Sequence, residues 1–186
     1  MALTYTPDPE IGKSCPEFRL PATDGRTYSR ADFTEAKAFL VMFICNHCPY
    51  VKAIEDRLID LGRTYLGKPV KIVAICANDA ENYPADSFPE LKKRAEEKGY
   101  PFPYLYDESQ SVARTFGAVC TPDFFLYDES MALAYRGRLD DSWKEPENVK
   151  TEELRAAIDA LVAGKKPASE QKPAMGCNIK WKAANR

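Results

Sequence analysis

From Phe39 to Ile44 the chain is apolar without alternation, and it then turns through Cys45-Asn46-His47-Cys48-Pro49 into a different periodicity. A strand with no polar face must be covered on both sides, so this stretch calls for a sheet with helices above and below it. Beyond the turn Val51, Ile54, Leu58, Leu61 and Tyr65 recur at steps of three and four, one face of a helix. Cys45 thus falls at the strand-to-helix turn and Cys48 one turn further on. A thiolate at a helix N-terminus meets unpaired N–H groups and the positive end of the macrodipole, so the Cys45 thiol is expected to have a lowered pKa. His47 adds to this when protonated, and Asn46-His47 is read as the tuning pair. The spacing lets Cys48 reach Cys45, so a mixed disulfide on Cys45 can be resolved within the chain. Cys45 is the expected nucleophile, Cys48 the expected resolver, and the stretch reads as a redox site. Pro49 suits the first helical turn, where a missing N–H costs nothing.

The length of 186 residues, 45% of them hydrophobic, suits one buried core. The expectation is a single domain over 1–186, with an N-terminal extension and hairpin over 1–30 and a C-terminal tail over 165–186 that packs back. The charges nearly cancel, at 26 Lys+Arg against 28 Asp+Glu, which gives no electrostatic hold on nucleic acid or on an anionic membrane. A protein or small-molecule disulfide or thiol is the expected partner, with the electron donor or acceptor unidentified. Met1-Ala-Leu-Thr-Tyr-Thr-Pro7 has no basic start followed by an apolar run, and the expected location is cytoplasmic. In a reducing compartment Cys-X-X-Cys reads as redox-active or metal-binding before it reads as a structural staple.

Phe18-Arg-Leu20 and Arg26-Thr-Tyr28 flank Asp24-Gly25, a hairpin ahead of the main sheet, and Ser29 to Asp32 marks a short helical turn. A helix follows from about Cys48 to Tyr65, then a β-branched strand over Val70–Cys76, completing a parallel crossover unit. Ser87 to Glu90 opens a helix over Phe88–Lys98, stopped by Gly99. Tyr104–Tyr106 reads as a short strand, and Asp107 to Gln110 as a cap for a helix ending at Gly117. Phe124–Tyr127 and Ala132–Tyr135 form an antiparallel pair. A last helix from near Thr151 stops at Gly164, and the apolar Gly176–Trp181 segment of an otherwise irregular tail folds back.

Strand, Cys-X-X-Cys, helix, Thr121-Pro122 before a hairpin and a closing helix: in this order the chain resembles the thioredoxin-like superfamily. The hairpin ahead of the sheet, the loop and helix inserted between Ile75 and Tyr104, and Tyr135-Arg-Gly137 look like its redoxin branch, shared by alkyl hydroperoxide reductase-like proteins and thiol-disulfide reductases. The fold implied is α/β, a central mixed sheet flanked by helices. The resemblance also implies a cis peptide at Thr121-Pro122 facing the cysteines, with the backbone beside it pairing to a substrate strand. Ile44 stands where thioredoxins carry tryptophan, and Phe39 where they carry a buried aspartate that deprotonates the resolving cysteine. That carboxylate is absent or comes from elsewhere. Val41 and Met42 occupy the region where peroxiredoxins place proline and a hydroxyl residue.

Of the other cysteines, Cys15 and Cys76 read as inert filler. Cys120, close to Pro122, and Cys177, in the returning tail, are candidates for a disulfide with each other, or Cys177 for a third redox thiol. Tyr50, Tyr83 and Trp181 are candidates to line a groove, with packing as their default role. The first functional reading is a thiol-disulfide oxidoreductase cycling Cys45 and Cys48 without a bound cofactor. The alternatives are a thiol peroxidase resolved by Cys48 or Cys177, a copper-binding thioredoxin-fold module, and a non-catalytic interaction domain. Copper modules of that fold use a distal histidine, whereas His47 is the single histidine of this chain. No metal site is expected, since Cys45, His47 and Cys48 lack a fourth ligand.

Overall fold

The apolar run at the centre of the sequence is a strand of six residues, every one buried. In the computed structural model, which describes residues 3–185, the strands in chain order are β1 (Leu3–Tyr5), β2 (Arg19–Pro21), β3 (Thr27–Ser29), β4 (Ala38–Phe43), β5 (Val70–Cys76), β6 (Tyr104–Tyr106), β7 (Cys120–Thr121), β8 (Asp123–Asp128), β9 (Leu133–Tyr135) and β10 (Met175–Asn178). The α-helices are α1 (Pro49–Thr64), α2 (Phe88–Lys98), α3 (Ser111–Phe116) and α4 (Glu153–Val162). Met1, Ala2 and Arg186, at the ends of the expected domain, lie outside the described residues.

Successive side chains of β4 enter different layers, as the strand period requires. Ala38, Leu40 and Met42 join Ile54 and Leu58 of α1, Leu91 of α2, and Leu154 and Ile158 of α4 in one core. Phe39, Val41 and Phe43 join Phe116 of α3, Phe33 and the hairpin residues Phe18 and Leu20 in the other. Full burial of such a side chain contributes on the order of 2–3 kcal/mol relative to exposure. The central sheet has the order β6-β5-β4-β8-β9. β4 runs parallel to β5 and antiparallel to β8, so the sheet is mixed, and the fold is α/β. Its register sets Phe43 opposite Asp123. The residues just past β4 and just before β8 therefore meet, which brings Cys45 to Thr121-Pro122.

Two elements differ from the sequence expectation. Helix α3 begins at Ser111 rather than Asp107, because residues 107–110 close a turn, with the Gln110 N–H on the Asp107 carbonyl at 3.1 Å. Gln110 takes φ +65° there, and its buried amide donates to the Ala77 and Lys180 carbonyls at 2.6 and 2.8 Å. Asp107 still serves the helix, accepting the Ala113 N–H at 2.8 Å. Within the tail expected to be irregular, Met175–Asn178 forms a regular strand. β10 lies between β1 and β7 in a second sheet, antiparallel to both.

Candidate redox site

Pro49 takes the first position of α1, which makes Cys48 the N-cap. This reverses the electrostatic expectation for the two thiols. The helix N-terminus serves Cys48, whose thiol is lowered to about 4 by the hydrogen bond from Cys45 and, against burial, by the Val51 and Cys177 N–H groups. Cys45 is raised by burial, by that shared hydrogen bond and by the nearby Asp86 carboxylate. Both residues are buried, at 2% exposure for Cys45 and 0% for Cys48. The pair holds one proton tightly and releases the other readily, the behaviour of two interacting sites that titrate as a unit.

Asp86 is the residue that the sequence reading missed. It stands at the end of the loop between β5 and α2, fully buried. One carboxylate oxygen accepts the Asn46 and His47 N–H groups at 2.8 and 3.2 Å. The other accepts the His47 Nδ1–H at 2.5 Å and the Asn78 amide at 2.8 Å. The turn between the cysteines is thus held by a buried carboxylate supplied from another loop, while Phe39 lies in the opposite core layer. Its polar loop gives no sign of burial, since aspartate in such a loop is ordinarily solvated. His47 Nδ1 lies 3.8 Å from Cys45 Sγ, and the ring stacks on Tyr83. The Asn46 side chain faces neither sulfur: its amide donates to the Ala85 and Glu90 carbonyls at 3.0 Å each.

Thr121-Pro122 is a cis peptide. Thr121 Oγ1 stands 3.4 Å from Cys45 Sγ, and Cys48 Sγ lies 3.1 Å from the Thr121 carbonyl oxygen, to which it donates when protonated. The strand edge beside it is occupied by the chain itself, with Cys177 opposite Thr121 and Asn178 opposite Cys120. Residues directly opposite share a face and neighbours alternate. Cys177 therefore points with Thr121 toward the cysteine pair, and Cys120 points away, its thiol on the Pro122 carbonyl at 3.4 Å. A Cys120–Cys177 disulfide is excluded by this register. Burial pushes the Cys15 thiol up to about 12 and also raises Cys76 and Cys120.

Beside Pro122 opens a mainly apolar groove of about 360 Å³, lined by Tyr50, Ile54, Phe124, Trp143 and Met175 among others. Tyr50 packs on Trp143 with ring centroids 4.4 Å apart. Trp181 instead packs against the second core. Cys45, His47 and Asp86 bring three donor atoms within 4.8 Å of one another, the one such group among the described residues. Two of those donors, His47 and Asp86, are engaged with each other, and three donors fall short of the four that a structural zinc site uses.

A mixed sheet flanked by helices, with a paired-cysteine turn set against a Thr-Pro edge, defines a thioredoxin-like redoxin, a class whose general function is redox. The chain belongs to the AhpC/TSA family, whose sequence profile matches residues 11–136. Among solved structures it is similar to an uncharacterized conserved protein from Geobacillus kaustophilus, with 45% identity, 98% of each chain covered and a TM-score of 0.93. A hypothetical protein from Sinorhizobium meliloti is 42% identical, with 97% of this chain and 99% of that one covered and a TM-score of 0.91. A thiol:disulfide interchange protein of the thioredoxin family from Chlorobium tepidum, 18% identical over 85% of this chain and 98% of that one, shares the fold with a TM-score of 0.60. No curated protein matches the sequence significantly.

Proposed function

We propose that the protein is a thiol-disulfide oxidoreductase that cycles Cys45 and Cys48 between dithiol and disulfide, acting on a protein or small-molecule disulfide or thiol. The observation that carries this reading is the placement of both thiols at the start of α1 against Thr121, with Cys45 Sγ 3.4 Å from Thr121 Oγ1 and Cys48 Sγ 3.1 Å from the Thr121 carbonyl oxygen. In the reducing direction the Cys45 proton crosses to the Cys48 thiolate. Cys45 then attacks a substrate disulfide and expels one substrate thiolate, which takes a proton. Cys48 loses its proton and attacks the Cys45 sulfur, releasing the second substrate thiol and leaving a Cys45–Cys48 disulfide. Two electrons have passed to the substrate, and an external dithiol restores the enzyme by the reverse exchange.

Asp86 keeps its place in this scheme through His47. With Nδ1–H given to Asp86, the buried Nε2 has no hydrogen-bond partner among the described residues. The Nδ1 edge that Asp86 holds lies 3.8 Å from Cys45 Sγ, so the carboxylate fixes the ring beside that sulfur. Thr121 Oγ1 faces Cys45 and Pro122 borders the groove, which supports their role in substrate contact.

The test is redox equilibration of the pure protein in graded glutathione buffers, trapped by alkylation and mapped for each cysteine. Cys45 and Cys48 are expected to leave the thiol pool together, in one two-electron transition, as a disulfide with each other. Oxidation of Cys45 by peroxide to a sulfenic or sulfinic acid, with no pairing to Cys48 at any potential, would replace this reading with the peroxidase.

A further inference from the structure

We infer that β10 is a built-in substrate strand and that Cys177 is a third redox thiol, exchanging with the disulfide at Cys48. This rests on the dithiol reading above. The backbone edge at Thr121 is the edge on which an extended thiol substrate would pair, and here the chain pairs its own strand there. Cys177 lies opposite Thr121, Asn178 opposite Cys120, and the Ile179 N–H continues to the Val119 carbonyl at 3.1 Å. Because opposite residues share a face, Cys177 points the same way as Thr121, whose hydroxyl touches Cys45. Cys177 lies in the same apolar cluster as Cys45 and Cys48 and is in hydrogen-bonding contact with the Cys48 thiol.

The strand is fitted closely and held at both ends. A Cβ at residue 176 would run into the Thr121 carbonyl, so Gly176 is what lets β10 approach β7. On one side Thr6 N–H donates to the Ala174 carbonyl at 2.9 Å, and Ala174 N–H donates to Thr6 Oγ1 at 3.0 Å. On the other, the Lys180 N–H donates to Asn78 Oδ1 at 2.9 Å, and its carbonyl accepts the Asp79 N–H at 2.9 Å and the Gln110 amide at 2.8 Å. A sulfur presented in this way has the high effective concentration of an intramolecular reactant.

The step is an exchange with no net change in electrons. Cys177 gives up its proton and attacks the Cys48 sulfur of the Cys45–Cys48 disulfide. A Cys48–Cys177 bond forms, the Cys45–Cys48 bond breaks, and Cys45 leaves as a thiolate that takes the proton. Burial and the hydrogen bond to Cys48 hold the Cys177 thiol up at about 11 in the dithiol state. Oxidation of Cys48 removes the second of these restraints. The relay moves the oxidised bond beneath β10 and returns Cys45 to the thiol form.

The test uses the Cys45→Ser protein, oxidised with diamide, quenched in acid, then denatured, alkylated and mapped. The expected result is joint loss of the Cys48 and Cys177 thiols as one intrachain cross-linked peptide pair, while Cys15, Cys76 and Cys120 alkylate fully. Cys48 and Cys177 that stay fully alkylatable, or that oxidise only one at a time or between chains, overturn the inference. Cys45→Ala repeats the measurement with a different replacement, and circular dichroism of both confirms that a folded chain is being read. In Cys177→Ser the Cys45–Cys48 disulfide should form alone; its failure to form there counts against the dithiol reading, not against the relay.

Discussion

Replacing Asp86 with alanine removes the acceptor of four hydrogen bonds at once: two from the turn between the cysteines, one from His47 Nδ1 and one from the Asn78 amide. Net contributions are about 1 kcal/mol for an ordinary bond and more when the acceptor is charged. The loss is therefore at least about 4 kcal/mol, a large share of the roughly 5–15 kcal/mol by which a domain is stable. Asp86→Asn keeps the shape and one oxygen. That oxygen still accepts from the two main-chain N–H groups, while the new NH2 faces the Asn78 amide and His47, so about 2 kcal/mol is lost. Urea unfolding of the reduced proteins at neutral pH measures both. A cost below about 1 kcal/mol for alanine, or equal costs for the two variants, would refute the hydrogen-bond reasoning. The same substitutions remove a negative charge beside Cys45. Its thiol pKa is then expected to fall, read from thiolate absorbance against pH, and a rise would show that the carboxylate acts in the opposite sense.

Glu55 is buried on α1, yet against that burial the Arg94 and Tyr100 hydrogen bonds hold its carboxyl below the ordinary value. A depressed folded-state pKa contributes stability above the unfolded value of 4.5 that is lost as pH falls through the folded one; Glu55→Gln should flatten that acid limb in urea midpoints. Arg94→Met leaves the carboxylate buried without its main partner and should cost about 3 kcal/mol at neutral pH, measured by the same unfolding series. Gly62→Ala, favoured by helix propensity, is expected to lower the melting temperature, because the new Cβ would meet Pro101 Cγ at 2.5 Å and Phe102 Cδ1 at 2.9 Å. An unchanged or raised melting temperature would mean that the Pro101-Phe102 loop yields without cost.

The parts of the fold that were legible in the sequence are those written in local periodicity. The unbroken run over residues 39–44 required cover on both faces, and the three-four spacing from Val51 marked α1, because each follows from burial along one element. The N-cap could have been read from the sequence but was assigned to the wrong thiol: Pro49 at the first helical position makes Cys48, not Cys45, the cap. Asp86 was not legible, since a carboxylate in a polar loop becomes buried only when Asn46 and His47, from the turn after β4, and Asn78, from the start of its own loop, converge on it. The same holds for β10. Met-Gly-Cys-Asn has no alternation, and its strand character comes from two neighbours, β1 and β7, that are remote in sequence. Cys177 was named from the sequence as a candidate third thiol, but what sets it beside Cys48 is that pairing, and no spacing rule relates the two.

A chain is made from its N-terminus, and β10 emerges after every other element of the redox site. Cys45, Cys48, Asp86 and Thr121 can assemble while the strand that will cover the sulfurs is still being added. The nascent protein thus passes through an interval in which its thiol pair lies open at the Thr121 edge, able to meet whatever oxidant or mixed disulfide the surroundings offer. Once β10 closes between β1 and β7, every later exchange at the pair takes place with the Thr121 edge already paired by the chain's own strand.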